Sequence, residues 1–288
     1  MTTYSHSRLS SFENCAKKFQ YRYVLKIPAQ SEGIEAFVGK RVHEILERLY
    51  VFVDQGMVPG VDKVVGRYHA LYDEHVHPGL RIVKPDMTAN DYRMNGERCI
   101  RNFYAQNYPF DGDETLGLEE RVVFDLDEAG EYKMQGIIDR LVRKRDGVIE
   151  IQDYKTGRWV PSQKQLDEDR QLALYQIGVA KQYGEEETIR LVWHYVLSGK
   201  VRTSTRTPEQ LEELRADTIG VIDRIGAETE YAPKKNNLCN WCEYKSICPL
   251  FADDGAEERA IERLADQQAA KAALRRHSQD DPAQLSLL

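Results

Sequence analysis

Apolar residues recur at three-to-four spacing over long stretches of this chain, which predicts helices. In Ser5–Val24 the stripe is Leu9, Phe12, Ala16, Phe19 and Tyr23. In Glu35–Val53 it is Val38, Val42, Leu46, Leu49 and Val53, with His43 beside it. Two more helical stretches follow, Val61–His75 and Asp91–Asn107, separated by the loop HPGLRIVKPDMT. The period then shortens. Arg121–Leu126, KMQGIIDRLVRK and GVIEIQDYK read as strands, and Asp146-Gly147 between the last two is a hairpin turn signal. Gln163–Tyr183 returns to helix, and TIRLVWHYVLSGKVRTSTR reads as a second hairpin around Ser198-Gly199. Thr207 as N-cap, Pro208 at the first position and Gln210 at the box position start a helix that runs to about Glu228. Gly255–His277 is rich in Ala, Glu, Arg and Gln and reads as a solvated helix with a thin apolar stripe. No internal repeat interrupts this order. Helices, then strands, then an alternation of both, predict an α/β fold with a mixed sheet flanked by helices.

Composition narrows the setting. The chain has 288 residues, 41% of them hydrophobic and 30% charged, with a net charge of −7. That is enough for one large domain or two small ones and suits a soluble protein. No apolar run approaches the roughly 20 residues that span a bilayer, and MTTYSHSRLSSFE lacks a signal-peptide layout. The expected location is the cytoplasm, with no membrane partner. Five cysteines in a reducing compartment argue for metal or free thiols over disulfides. The acidic balance excludes a global pull toward nucleic acid, so any such contact falls to local basic patches.

The segment GIIDRLVRKRDGVIEIQDYKTG carries the clearest chemistry. Strand residues two apart share a face, so Asp153 and Lys155 project together. The hairpin sets Asp139 beside them. Two carboxylates and an ammonium at one strand end suit a bound hard cation, magnesium or manganese. Such an ion polarises a phosphate oxygen and lowers the pKa of a bound water, while Lys155 orients the water and stabilises developing charge. That chemistry is phosphodiester hydrolysis. Glu119 and Glu120 are equal candidates for a supporting acid.

The second cluster is LCNWCEYKSICP, with Cys239, Cys242 and Cys248. Tetrahedral zinc and cubane iron–sulfur clusters both want four ligands, so one is missing locally. Cys99 falls in a stripe with Ile100 and Phe103 and reads as a core thiol.

Asp139 followed by Asp153-Tyr154-Lys155 resembles the core of PD-(D/E)XK nucleases, and the wording GIIDR…DYKTG resembles their RecB-type branch. The proline that names the superfamily is absent, since Ile138 precedes Asp139. The resemblance implies a restriction-endonuclease-like mixed central sheet flanked by helices. It implies His43, Asp139, Asp153 and the backbone carbonyl of Tyr154 as ligands of Mg²⁺ or Mn²⁺. It implies Gln171 and Tyr175, four apart on one helix face, as a Q-x-x-x-Y pair acting with Asp139, Asp153 and Lys155. It supplies Cys15 as the fourth thiol of a 4Fe-4S cluster with Cys239, Cys242 and Cys248, joining the ends of the nuclease as in AddB-type and CRISPR-adaptation nucleases. A zinc site is the alternative for the same thiols. The domains expected are a nuclease over 1–252, a helical extension over 253–279 and a tail over 280–288.

The expected function is a metal-dependent deoxyribonuclease, a single-strand exonuclease in DNA repair or recombination. CRISPR spacer processing is the alternative enzyme role and an idle DNA-binding scaffold the alternative without catalysis. Basic runs available for DNA are Lys17, Lys18, Arg22 and Lys26, then Arg140, Arg143, Lys144 and Arg145, then Arg158 and Lys164, with Tyr21, Tyr23, Tyr154 and Trp159 among them. No G-x-x-x-x-G-K-[ST] loop occurs. Duplex substrates would therefore need a helicase partner. The ending Gln284-Leu285-Ser286-Leu287-Leu288 is similar to the Q-L-x-L-F peptide that holds the bacterial sliding clamp, which would raise local concentration at replication sites.

Overall fold

The computed structural model describes residues 2–280. The clamp-like peptide Gln284–Leu288 lies outside the described residues. In chain order the elements are β1 (Thr3–Ser5), α1 (His6–Asn14), α2 (Ala16–Phe19), β2 (Glu32–Gly33), α3 (Ile34–Asp54), α4 (Val61–His75), β3 (Leu80–Arg81), α5 (Ala89–Asn107), β4 (Asp113–Asp125), β5 (Lys133–Lys144), β6 (Ile149–Lys155), α6 (Gln163–Asp167), α7 (Arg170–Tyr183), β7 (Ile189–Tyr195), β8 (Lys200–Ser204), α8 (Pro208–Ala227) and α9 (Ala256–Asp280). None of the described helices is long and apolar enough to cross a membrane. They form two compact units. The first comprises residues up to Ser10 and Glu32–Glu228, the second Ser11–Ser31 and the chain from Thr229.

The first unit is a six-stranded mixed sheet between helices. β5 is its spine. β4 pairs antiparallel along the whole of one edge of β5. The other edge is shared: β6 pairs antiparallel with Arg140–Arg143, and β1 pairs parallel with Lys133–Gln135. β6 then pairs parallel with β7, and β7 antiparallel with β8. α3, α4 and α5 make one layer. Their stripes bury Phe37, Ile45, Leu49, Leu71, Ile100 and Phe103 in a core that also takes Tyr154 from β6. Burying side chains of this size stabilises by roughly 1.5–3 kcal/mol each. Cys99 is buried in the same core, as its stripe predicts. α7 packs across β4, β5, β6 and β7, and α8 packs on α7.

Several elements differ from the sequence reading. The helix expected over Ser5–Val24 breaks at Cys15, whose backbone is extended (φ −165°, ψ 109°), and ends in a π-helical turn, Gln20–Val24. The helix expected over Gln163–Tyr183 is two helices. Asp169 caps the second, its Oδ1 accepting the Gln171 N–H at 2.9 Å, as an N-cap aspartate does. β4 begins eight residues before Arg121, at Asp113. Those residues do not alternate. They become strand because they find partners on β5, from Lys144 back to Ile138. The hairpin at Asp146-Gly147 is as expected, with Gly147 at φ +89°, where only glycine is unstrained.

In the second unit the two chain segments are bound to each other. Tyr21, Ile27, Tyr244, Ile247 and Ala260 form its core. The Tyr21 hydroxyl donates to the Ile247 carbonyl at 3.2 Å and the Tyr244 hydroxyl to that of Ile27 at 2.9 Å. The start of α9 joins this core through Ala260 and Leu264, so the helix is not solvated all round.

One close approach in the first unit is testable. A Cβ on Gly136 would stand 2.1 Å from the Tyr175 ring. Gly136→Ala should therefore lower stability by about 1–3 kcal/mol in chemical denaturation. Combining it with Tyr175→Ala should cost less than the sum of the two single changes, which a double-mutant cycle measures.

Candidate active site

The last rung between β5 and β6 pairs Arg140 with Gln152. Beyond it the strands part, and Asp139 is the first residue past the fork. Its Oδ2 accepts the Tyr154 N–H at 2.6 Å, in place of a ladder bond. On β6, Asp153 and Lys155 turn to one side, while Tyr154 between them enters the helical core. α3 supplies His43. Its Nδ1 lies 3.4 Å from Asp139 Oδ1 and its Nε2 2.8 Å from the Tyr154 carbonyl oxygen.

β4 completes the group through an irregularity. Its register shifts by one residue between Thr115 and Gly117. Leu118 then faces Arg140 and Glu120 faces Ile138, which sets Glu119 across from Asp139. Glu119 has φ +46°, a conformation costing roughly 1–3 kcal/mol in a residue with a Cβ. The ligand atoms of His43, Glu119 and Asp139 lie within 4.8 Å of one another. Of the two glutamates that the sequence left equal, Glu119 joins the site. The signal that separates them is the bulge, a tertiary feature.

Asp153 is engaged elsewhere in the cluster. Its Oδ2 lies 2.8 Å from Lys155 Nζ, and its Oδ1 accepts Gln171 Nε2–H at 3.0 Å. Lys155 Nζ donates to Gln171 Oε1 at 2.9 Å. One glutamine amide thus spans the ion pair, donating to the carboxylate and accepting from the ammonium. This is possible because α7 restarts at Asp169, which puts Gln171 in its first turn. Tyr175, one turn later, is buried against Gly136.

Electrostatics follow from three crowded carboxylates. Burial, then the charge of Asp139, raises Glu119 to about 7. Burial pulls His43 down, but the hydrogen bond and charge of Asp139 outweigh it and hold the imidazole at about 9. Burial pushes Asp153 up; Lys155 opposes this and Asp139 adds to it. Burial likewise pulls Lys155 down, and the adjacent Asp153 more than reverses that. The cluster holds protons because it lacks positive charge. An imidazole nitrogen and a carbonyl oxygen 2.8 Å apart share either a proton or a cation. With two carboxylates beside them, the donors fit a small hard cation such as Mg²⁺ or Mn²⁺.

The cysteines expected as ligands, Cys15, Cys239, Cys242 and Cys248, all fall in the second unit, and none of them forms a disulfide. Cys15 Sγ accepts the Lys234 N–H at 3.5 Å, and Cys239 Sγ accepts that of Asn236 at 3.3 Å. Burial raises both Cys242 and Cys248, and Cys15 contributes to each shift. Among the described residues no three of these sulfurs lie within 4.8 Å of one another.

At least six of the ten residues in the basic runs are paired within the protein. Arg140 is buried on the Tyr50 ring and donates to Gln152. Arg143 pairs with Glu187 and Lys144 with Asp113. Lys17 pairs with Glu257, and Lys18 and Arg22 with Glu243. Of these ion pairs, Lys144–Asp113 joins residues directly opposed on β5 and β4. Trp159, four residues past Lys155, is 67% exposed.

Comparison with known proteins is consistent with this site. The family model described as the PD-(D/E)XK nuclease superfamily matches residues 3–249. No curated protein matches. Among solved structures, that of a protein named as a candidate exonuclease from Eubacterium rectale is 15% identical, with 85% of this chain and 89% of that chain covered at a TM-score of 0.48. The structure of SSO0001 is 16% identical, covering 76% of this chain and 97% of that one at a TM-score of 0.34.

The raised values set a pH dependence. Glu119 and His43 bind protons more tightly folded than unfolded. Their stabilising contributions are complete below the unfolded values and are lost as pH rises through about 7 and about 9. Without divalent metal the melting temperature should therefore fall between pH 6 and pH 9. Mn²⁺ should raise it more at pH 8.5 than at pH 6, because the ion replaces protons already lost. Glu119→Gln should flatten the lower part of that slope in a thermal-shift series.

Proposed function

Because the chain belongs to the PD-(D/E)XK nuclease superfamily, we propose that it is a Mg²⁺- or Mn²⁺-dependent deoxyribonuclease of the RecB-type branch, acting as a single-strand exonuclease in repair or recombination in the cytoplasm. The observation that carries this is the meeting of Asp139, Glu119 and His43 with the Asp153–Lys155–Gln171 group at the fork between β5 and β6. A scaffold protein has no use for three carboxylates crowded at a strand end, since each raises the cost of the next.

In this reading His43, Glu119, Asp139 and the Tyr154 carbonyl hold the cation, with Asp153 at its border. When bound, it polarises the phosphate and acidifies a water. Lys155 stays protonated near neutrality, so it acts as a donor that orients the water and stabilises charge developing on the phosphate. Gln171 fixes both Lys155 and Asp153 in place. The water oxygen bonds to phosphorus as the ester bond to the leaving oxygen breaks. Exposed Trp159 supports a single-stranded substrate, because a base can stack on it. Duplex ends would be opened by a separate helicase. The nuclease region in this reading is 1–252, with 253–279 an extension.

For the second unit the reading is a 4Fe-4S cluster on Cys15, Cys239, Cys242 and Cys248. A single tetrahedral zinc is the alternative for the same four thiols.

Asp153→Asn and Lys155→Ala should each lower Mn²⁺-dependent cleavage of labelled single strands by about a hundredfold or more, and EDTA should abolish it. Cleavage by Asp153→Asn within a few-fold of wild type would remove the assignment. Purified without oxygen, the protein should be brown. Cys15→Ser should bleach it as fully as Cys242→Ser, whereas Cys99→Ala should leave the colour intact. Colourless protein with stoichiometric zinc would replace the cluster by zinc.

A further inference from the structure

Beside the Asp153–Lys155–Gln171 group lies a cavity of about 550 Å³ that the roles assigned above do not use. Gln171 and Tyr175 belong to its lining, so it borders the candidate active site directly. Ser5 and Ser7, at the junction of β1 and α1, line it with Gln135 and Arg121. The two serine hydroxyls lie 3.1 Å apart. No carboxylate lines the cavity.

Several arginines of the first unit are matched by acids: Arg143 by Glu187, Arg190 by Glu150, and Arg101 by Glu97. Arg121 instead donates to a neutral amide, Gln135 Oε1, at 2.7 Å. Among the described residues no carboxylate lies within ion-pairing distance of it. One uncompensated guanidinium with hydroxyl, amide and phenol donors is a set for phosphate oxygens, which arginine can engage two at a time. The charge favours a terminal phosphate over an internal one. A monoester carries about −1.5 to −2 near neutrality, a bridging diester a single charge. The volume is of the size that encloses a small ligand, which suits one nucleotide better than a length of strand.

We propose that this cavity receives the phosphate-bearing terminal nucleotide of the substrate strand, so that Arg121 makes cleavage depend on a phosphorylated end; this rests on the nuclease reading above. The strand then runs past Gln171 to Lys155, and cleavage releases mononucleotides or short fragments from that end.

The test uses one single-stranded sequence in four forms: 5′-phosphate, 3′-phosphate, hydroxyl at both ends, and a closed circle. Each is incubated with full-length protein and Mn²⁺. One phosphorylated form should be cut about tenfold faster than the hydroxyl form, the discrimination that a charge-assisted hydrogen bond gives, and the faster arm identifies the terminus. The circle should resist. Arg121→Gln should bring the phosphate-to-hydroxyl ratio to about one, and Arg121→Lys should leave an intermediate ratio. Equal rates on all linear forms would overturn the proposal, as would a preference that survives Arg121→Gln. A second arm measures competition for a labelled strand by anisotropy in Ca²⁺, with no cleavage required. Stronger competition by the phosphorylated form, lost in Arg121→Gln, supports the end site even if nothing is cut; equal competition overturns it. Absence of cleavage on every substrate would count against the nuclease reading instead.

Discussion

Three carboxylates share one small volume at the end of β5 and β6, and the local structure follows from their mutual repulsion. Glu119, Asp139 and Asp153 cannot all ionise there without positive charge. Lys155 answers for Asp153 at 2.8 Å. His43 answers for Asp139, at 3.4 Å, with its proton held to about 9. Glu119 has no such partner and rises to about 7. The arrangement is one positive charge short, which is the electrostatic signature of a cation site.

Placing those groups required breaking the regularity of the sheet. β5 carries β6 on part of one edge and β1 on another part, and the gap between them frees Asp139 from ladder pairing. Its carboxylate then takes the Tyr154 N–H that the ladder no longer satisfies. On the other edge, the register shift in β4 moves Glu119 rather than Leu118 opposite Asp139, at the cost of a left-handed backbone. Bulges that re-aim a side chain beside a functional site are a known use of such irregularity. The strain persists because β4 is paired on both sides of it.

Charge elsewhere follows the opposite rule. Along the β5–β6 hairpin the basic residues are neutralised by Asp113 and Glu187, or stacked, as Arg140 is on Tyr50. Arg121 differs in that it donates to a neutral amide, that of Gln135. The second unit obeys the same logic. Lys17, Lys18 and Arg22 hold Glu257 and Glu243, which ties the segment bearing Cys15 to the segment bearing the other three cysteines.

Periodicity and turn chemistry are local properties, and the sequence determined what they control. α3, α4, α5 and α8, the strands β5 to β8, and both hairpin turns were legible because their stripes, caps and glycines act within a few residues. Asp139, Asp153 and Lys155 were legible because strand alternation and a tight hairpin leave them little choice of place. His43, Gln171, Tyr175 and Cys15 came only from resemblance, since nothing in their neighbourhood marks them. Tertiary structure decided the rest. The first half of β4 is strand only because β5 offers it partners. α7 restarts at Asp169, which turns Gln171 toward the Lys155–Asp153 pair. The register shift chose Glu119 over Glu120. Tertiary pairing gave Arg143 and Lys144 acidic partners and left Arg121 with a neutral one. Each of these depends on which residue stands opposite which across the sheet, a long-range relation that local spacing does not encode.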